Sequence, residues 1–248
     1  MKKFLATMVI LSSLIYAQTI TIAAAAHLKY ALDNLTKEFS KETGIKTKIT
    51  TGASGRLTQQ IMSGAPFDAF LSADVEYPQK LVNGGYTTTP VGVYAYGTLV
   101  LWSNTGIDLN KGIAILSDPS VKKIAIANPK IAPFGIEAMN SLKYYKMDNK
   151  VTGKIIAAES TSQVGNYVTT KVVDAGFMPK SLVMSSELKG IGKWIEVPAK
   201  SYNKIDQGMV GLKNGSPENQ IAAKKFLKFM SSSKAREILK ANGYILPN

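Results

Sequence analysis

Four short segments of this 248-residue sequence combine the small and hydroxyl-bearing residues that can bind an anion. Each follows an apolar, strand-like run and precedes a helix-like pattern. A helix start offers unpaired backbone N–H groups and the positive end of the helix dipole, so it binds anions without a charged side chain. Small residues let the backbone approach a ligand, and hydroxyls donate to its oxygens. The four segments are residues 25–27, 52–55, 128–135 and 158–162.

The polar side chains in these segments also have ordinary structural explanations. Ser54, Ser160 and Thr161 are suited to cap a helix N-terminus or to stabilise a turn. Their recurrence in both halves of the chain favours a bound ligand. His27 leaves two alternatives open. Its ring could donate an N–H to an anion, and would carry a positive charge when protonated below the usual histidine pKa of about 6.5. Alternatively, only its backbone N–H could face the anion.

An enzyme is the main alternative to a binding protein. The sequence has no Cys and a single His, which excludes disulfides, thiol nucleophiles, iron–sulfur clusters and two-histidine metal sites. Residues 52–56 resemble the start of a nucleophile elbow, with Ser54 as nucleophile and His27 as base, but the final glycine of that motif is missing. Asp68 and Asp74 could form a carboxylate pair, although the apolar strand beside them favours a structural role. Binding is therefore the favoured interpretation, and a secreted serine hydrolase is the alternative.

The net charge of +13 indicates a basic surface rather than a nucleic-acid site. Of the 30 basic residues only Arg56 and Arg236 are arginines, whereas proteins that read nucleic acid favour arginine. The lysines are dispersed, with no block of five or more. We therefore expect no nucleic-acid partner. With 45% hydrophobic and 19% charged residues, the chain is typical of a globular protein.

Residues 1–17 have the pattern of a signal peptide. Lys2 and Lys3 form a short basic start, residues 4–15 are mainly apolar, and Ala17 precedes a plausible cleavage point. The apolar run is too short to span a bilayer comfortably. No Cys stands at the cleavage point, which excludes a lipid anchor. We therefore expect an exported, periplasmic chain from about residue 18, with a net charge of +11 once the two lysines are removed.

Strand-like and helix-like patterns alternate twice along the remaining chain. Residues 19–71 have the pattern strand–helix–strand–helix–strand, and residues 123–178 repeat this alternation. Gly44 is predicted to end the first of these helices. Two extended runs, 94–102 and 205–212, separate these blocks from each other and from a C-terminal helix. The pattern predicts a two-lobed α/β protein in which each lobe has a mainly parallel sheet flanked by helices. We assign residues 18–95 with 206–248 to lobe I, residues 96–205 to lobe II, and the two extended runs to a hinge beside a ligand cleft.

The order and spacing of several motifs resemble the periplasmic molybdate-binding proteins of ABC transporters, over nearly the whole mature chain. Residues 64–74, Gly-Ala-Pro-Phe-Asp-Ala-Phe-Leu-Ser-Ala-Asp, are close to a signature of that family and are the most specific stretch. The other matching segments are 22–28, 52–57, 128–135, 158–160 and the ending 241–244.

This resemblance implies a type II-like periplasmic binding protein that holds a tetrahedral dianion with neutral donors. The hydroxyl and amide of Ser54 match one family contact, and the backbone N–H groups of Phe134 and Thr161 match two others; Ser160 is a further candidate. His27 stands where the family usually has a first-loop hydroxyl. The implied function is capture of molybdate or tungstate and delivery to an inner-membrane ABC permease. The resemblance implies a monomer that needs no cofactor, is not an enzyme and has no direct metal ligands.

A second departure from the family is Pro179, which replaces a tyrosine and supplies neither O–H nor N–H. The missing donor must come from elsewhere, or the ligand differs. Sulfate, phosphate and ferric iron are the alternatives. Protonated phosphate calls for a carboxylate acceptor, for which Glu159 is the nearest candidate. Iron sites use clustered tyrosines, and Tyr144 and Tyr145 form the only adjacent pair.

Overall fold

The computed structural model describes residues 18–247, folded as two five-stranded sheets with helices on their faces. The segment predicted as a signal peptide, residues 1–17, lies outside the described residues. In chain order the strands are β1 (Thr19–Ala25), β2 (Lys46–Gly52), β3 (Ala69–Leu71), β4 (Gly92–Gly97), β5 (Leu99–Ser103), β6 (Ile124–Ala127), β7 (Ile155–Ala158), β8 (Ala175–Pro179), β9 (Lys193–Glu196) and β10 (Ile205–Gly211).

Both sheets follow the same plan. The first has the order β2-β1-β3-β10-β4 and the second the order β7-β6-β8-β5-β9. In each, three neighbouring strands are parallel and a fourth, β10 or β5, runs against them and pairs with a fifth. Four strands of each sheet therefore point the same way. This confirms the expected two-lobed α/β architecture with mainly parallel sheets.

Nine α-helices connect or cover the strands within the described range. They are α1 (Lys29–Thr43), α2 (Ser54–Met62), α3 (Glu76–Asn83), α4 (Pro133–Tyr144), α5 (Asp148–Val151), α6 (Thr161–Thr169), α7 (Lys180–Val183), α8 (Pro217–Phe229) and α9 (Ser233–Ala241). Short 3₁₀ helices occupy Ala26–Leu28, Leu109–Ser117, Thr152–Lys154 and Ala199–Ser201. None of the helices within residues 18–247 is both long and apolar enough to cross a membrane.

The first helix illustrates how the sequence pattern becomes packing. Leu35 and Phe39 recur at helical spacing and are fully buried, and Phe39 packs edge-on against Phe226 of α8 at 5.1 Å between ring centroids. Gly44 ends the helix with a left-handed φ of 71°, and its N–H bonds to the carbonyl of Ser40 at 2.8 Å. The predicted glycine C-cap is confirmed, because only glycine adopts that conformation without steric cost.

The extended run at residues 94–102 is two strands rather than one. β4 belongs to the first sheet and β5 to the second, with Thr98 between them, so the chain passes from one sheet to the other at this point. β10 returns the chain to the first sheet. The domain boundaries predicted at 95/96 and 205/206 fall inside β4 and at the start of β10; they stay predictions.

Several helix ends differ from the sequence-based expectation. The sequence pattern predicts a helix over about residues 136–145. α4 begins three residues earlier, at Pro133, because proline at the first helical position needs no hydrogen-bond partner for its nitrogen. The pattern also predicts a helix over residues 160–173, whereas α6 spans Thr161–Thr169. α9 is an additional C-terminal helix, capped by the hydroxyl of Ser232.

Candidate functional site

The four segments singled out in the sequence all follow the carboxyl ends of parallel strands. β1 and β2 pair in register at Ala25 and Gly52, and β6 and β7 pair at Ala127 and Ala158. Because paired strands end side by side, the segments of each sheet are neighbours. A small cavity lies where the two pairs face each other. Its walls are Ala25, Ala26, His27, Gly52, Ala53, Ser54, Ala73, Ala132, Pro133, Phe134 and Thr161.

Three helices begin at the wall of this cavity. The first residues of α2, α4 and α6 are Ser54, Pro133 and Thr161. The N–H groups of a first helical turn have no carbonyl partner within their helix, and the helix dipoles add positive potential. Within the described part of the chain, no lysine, arginine or carboxylate lines the cavity. The groups around the cavity that could bind an anion are therefore neutral.

Ser54 is held in place by a backbone group of the first lobe. Its side chain is 1% exposed, and its Oγ accepts a hydrogen bond from the N–H of Ala73 at 3.0 Å. Ala53, not Ser54, is the N-cap of α2. Since the oxygen is occupied as an acceptor, the hydroxyl hydrogen is free to donate. Ser54 can thus offer both its O–H and its N–H to an anion.

Phe134 reaches the cavity because α4 packs unusually close to β6. A side chain at Gly135 would collide with the backbone carbonyl of Ala127, so glycine is required for this approach. Phe134 is the second residue of the helix, where the N–H lacks an intrahelical partner. Its ring lies 5.5 Å from the His27 ring, between centroids. Phe134 lines the cavity, and its backbone N–H is available as a donor.

Thr161 and Ser160 have different roles despite being adjacent. Thr161 is buried and lines the cavity. Ser160 is the N-cap of α6, where its hydroxyl accepts from the N–H of Gln163 at 3.3 Å. It lines a neighbouring groove, beside the ion pair between Arg56 and Glu159. The structure therefore brings His27, Ser54, Phe134 and Thr161 to one cavity and places Ser160 outside it.

His27 lies in the short 3₁₀ helix after β1 and is 2% exposed. Its Nδ1 is 2.9 Å from the hydroxyl of Tyr244. Its Nε2 is buried and has no hydrogen-bond partner among residues 18–247. Burial lowers the pKa of the imidazole from 6.5 to about 3, because the charged form loses its hydration. The anion-free site therefore contains a neutral histidine at neutral pH.

Tyr244 is the polar residue beside the site that sequence analysis missed. It is buried, and its hydroxyl donates to the His27 carbonyl at 3.0 Å. Ile245 and Tyr96 form an antiparallel bridge that fastens this C-terminal segment to β4. No local spacing connects residues 27 and 244, so the available signal was only the ending at 241–244 that resembles the family.

Neither alternative catalytic arrangement is present in the described residues. Ser54 and His27 form no hydrogen bond with each other, because the serine oxygen accepts from Ala73 and the imidazole contacts Tyr244. Asp68 accepts from the N–H of Thr21 at 2.6 Å and so fixes β1 against β3. Residues 18–247 also contain no group of three or more acidic or histidine side chains that could hold a metal ion.

Asp74 stabilises the turn before α3. Its Oδ1 accepts from the hydroxyl of Ser72 at 2.9 Å and from the N–H of Tyr77 at 3.2 Å. Burial raises the pKa of the carboxyl from 3.8 to about 6, against the lowering effect of these hydrogen bonds. Asp74 therefore acts within the fold and makes no pair with Asp68.

Contacts across the cavity hold the two lobes together. The N–H of Gly55 donates to the carbonyl of Ile131 at 2.9 Å, and the hydroxyl of Ser162 donates to the carbonyl of Ala26 at 3.4 Å. Arg56 and Glu159 pair at the rim. The cavity encloses about 10 Å³, which is the room of a single water molecule. A ligand larger than a water molecule would need a wider cavity.

Two α/β lobes that meet at a small, donor-lined cavity define the class of two-lobed solute-binding proteins. The family model described as bacterial extracellular solute-binding protein matches residues 20–245, and the chain belongs to this family. It is accordingly a binding protein rather than an enzyme, and it carries no cofactor.

Two molybdate-binding proteins are similar to this chain over most of its length. The chain is 33% identical to the molybdate-binding protein of Azotobacter vinelandii over 230 residues, covering 92% of this chain and 90% of that protein. It is also 33% identical to the molybdate-binding protein of Rhodobacter capsulatus over 231 residues, covering 92% and 89%. The solved structure of the periplasmic molybdate-binding protein of Azotobacter vinelandii superposes with a TM-score of 0.86, covering 92% of this chain and all of that one.

Proposed function

We propose that this chain is a periplasmic receptor that binds molybdate or tungstate between its lobes and delivers it to an ABC importer in the inner membrane. The observation that carries the proposal is the cavity at the starts of α2, α4 and α6, lined by neutral hydrogen-bond donors. The similarity to two molybdate-binding proteins, each at 33% identity over most of both chains, supports this choice of anion.

The binding residues are Ser54, Phe134, Thr161 and His27. The Ser54 hydroxyl and the N–H groups at the three helix starts donate to the anion oxygens. Fixed dipoles stabilise a buried dianion without the cost of burying a lysine or arginine beside it. Ser160 acts indirectly, by capping the helix that presents Thr161.

Capture requires a hinge motion. We place the hinge at the β4–β5 junction and at the start of β10, with lobe I at residues 18–95 and 206–248 and lobe II at 96–205. An anion with four oxygens needs more room than one water molecule, so it enters an opened form. Donors from both lobes then bind it together, and this differential affinity drives closure.

The same geometry supports discrimination between anions. Donors held by helix starts cannot follow a smaller anion, so sulfate leaves some hydrogen bonds unmade. Protonated phosphate needs an acceptor for its hydrogen, and within the described residues no carboxylate lines the cavity. Molybdate and tungstate are alike in shape and charge, so the receptor takes both.

The remaining proposals concern location and assembly. The basic and apolar pattern of residues 1–17 directs export, after which the mature chain begins at about residue 18. The receptor is a monomer that binds one anion in its own cavity. Its macromolecular partner is the permease of the importer.

Calorimetric titration of the mature chain with molybdate, tungstate, sulfate and phosphate tests the proposed function. We expect one molybdate or tungstate per chain, and sulfate and phosphate at least about 100-fold weaker, corresponding to about 3 kcal/mol of lost hydrogen bonding. Equal affinity for sulfate or phosphate would overturn the choice of anion. Absence of binding by all four anions would overturn the receptor itself.

A further inference from the structure

The Nε2 atom of His27 is a buried polar atom without a partner beside a ligand cavity. The ring is 2% exposed, its residue lines the cavity, and Nε2 makes no hydrogen bond within residues 18–247. Buried polar atoms are nearly always bonded, so an unbonded one in a cavity-lining residue is a candidate for completion by a ligand. Nδ1 already faces Tyr244, so Nε2 is the ring nitrogen still available to a ligand.

The position of the ring hydrogen follows from the contacts of Tyr244. Its hydroxyl oxygen is 3.0 Å from the His27 carbonyl and 2.9 Å from Nδ1. A carbonyl only accepts, so the phenolic hydrogen is donated to it. The second contact then requires a hydrogen on Nδ1, donated to the phenolic oxygen. In the neutral ring, Nε2 is therefore left with a bare lone pair.

A bare lone pair repels the oxygens of a dianion that carries no hydrogen, so this ring cannot bind molybdate while neutral in this arrangement. The other neutral tautomer would place the hydrogen on Nε2, but Tyr244 would then have to donate to Nδ1 and abandon the His27 carbonyl. Within residues 18–247, the other side chain that donates to this carbonyl is Ser181, whose hydroxyl is 3.4 Å away. A doubly protonated ring keeps both Tyr244 hydrogen bonds and also presents an N–H to the cavity.

We propose that His27 binds the anion as an imidazolium whose Nδ1 is held by Tyr244, so that one proton from solvent enters the site with each anion. This inference rests on the proposed function, since it concerns the same cavity. The proton is added to Nε2 and no other bond changes. Tyr244 is a positioning residue: it keeps Nδ1 protonated and leaves Nε2 for the anion.

The electrostatic setting permits this change of charge. The anion-free pocket keeps the ring neutral by desolvation, with a pKa of about 3, and a dianion within hydrogen-bond distance stabilises the charged ring. Tyr244 is the titratable group in contact, with Tyr94 and Asp74 behind it. Charged side chains on the surrounding elements have other partners: Lys29 stacks on Tyr30, Arg56 pairs with Glu159, Lys180 pairs with Glu196, and Glu137 accepts from the N–H of Asn203.

The single histidine of the chain makes the protonation state directly observable. In untagged protein labelled with ¹⁵N-histidine, nitrogen spectra report His27 alone. At pH 7 we expect a neutral ring protonated on Nδ1 without anion, and an imidazolium after addition of molybdate. Calorimetry in buffers of different ionisation enthalpy should give about one proton taken up per molybdate, and linkage then weakens binding about tenfold for each unit of rising pH.

Two variants separate this mechanism from a merely structural role. His27→Asn retains an N–H donor without a titratable ring, so it should bind molybdate with no proton uptake and a flat pH profile. Tyr244→Phe removes the group that holds Nδ1, so proton uptake should fall below half a proton and affinity should drop about tenfold. Tyr144→Phe, at a half-exposed tyrosine outside the cavity, should change neither quantity.

The outcomes distinguish this proposal from the proposed function. Tight molybdate binding by the wild type with a neutral ring and no proton uptake would overturn the imidazolium and leave the receptor standing. Full proton uptake by Tyr244→Phe would overturn the role of Tyr244. Absence of molybdate binding by the wild type would overturn both proposals.

Discussion

Replacing Ser54 by alanine tests the central donor of the proposed site. The hydroxyl is 1% exposed, and its oxygen accepts from the N–H of Ala73 at 3.0 Å while its hydrogen is free to donate. The substitution therefore removes one donor to the anion. It also leaves the N–H of Ala73 without its acceptor.

The two losses are of similar size but are measured differently. A hydrogen bond to a charged acceptor contributes about 1.5–3 kcal/mol, so Ser54→Ala should weaken molybdate binding about 10- to 150-fold. An unpaired buried N–H costs about 1–3 kcal/mol of folding free energy. The affinity is measured by calorimetry, and the free energy of unfolding by urea denaturation of the anion-free protein.

Ser141→Ala is the matched control. Ser141 is also a fully buried serine, and its hydroxyl pairs with that of Ser201 at 2.9 Å, away from the cavity. This variant should lose a comparable amount of stability and keep its affinity for molybdate. Wild-type affinity in Ser54→Ala would refute Ser54 as a donor, and wild-type stability would refute the importance of its bond with Ala73.

Three further perturbations follow from contacts around the cavity. Gly135→Ala forces a methyl group into the backbone of β6 and should lower the free energy of unfolding in urea by about 3 kcal/mol. Its control is Gly153→Ala, where the methyl group meets open space and stability should change by less than about 0.5 kcal/mol; equal effects would contradict the close approach of α4. The pKa of Asp74 is about 6 in the folded protein and 3.8 in the unfolded chain, so ionisation of this carboxyl costs stability as the pH rises between these values. Asp74→Asn should therefore be more stable than the wild type at about pH 7.5 but not at about pH 4, and a pH-independent difference would contradict this. Arg56→Ala and Glu159→Ala each break an ion pair whose two side chains are 56% and 55% exposed, so each should weaken molybdate binding by less than about 1 kcal/mol, or about fivefold. A loss of affinity above about 30-fold in calorimetry would show that this pair contributes more than exposed pairs do.

The strands and helices were predictable wherever local periodicity matched burial. β1 and α1 have apolar residues at the spacing of their own element, and Gly44 supplies the stop, so their positions followed from neighbouring residues. The division of residues 94–102 into β4 and β5 did not. Both strands are apolar and extended, and only their pairing partners, β10 on one side and β8 and β9 on the other, separate them.

The residues of the candidate site were likewise predictable from the sequence only in part. Ser54, Phe134 and Thr161 stand at helix starts, which sequence spacing locates well, and the structure brings all three to one cavity. Ser160 has a hydroxyl at a similar place, yet it faces a neighbouring groove, because an N-cap side chain turns toward its own helix. Whether a side chain lines the cavity depends on the packing of two sheets, which no local pattern encodes.

The sequence by itself determined the α/β alternation, the absence of cysteine chemistry and the four segments at strand ends, because each depends on residues near one another in the chain. The tertiary structure alone decided the environment of His27. Tyr244 reaches it from 217 positions away, occupies Nδ1 and leaves Nε2 buried without a partner. The tautomer and charge of an imidazole depend on which groups surround it in space, and the folded chain sets those neighbours.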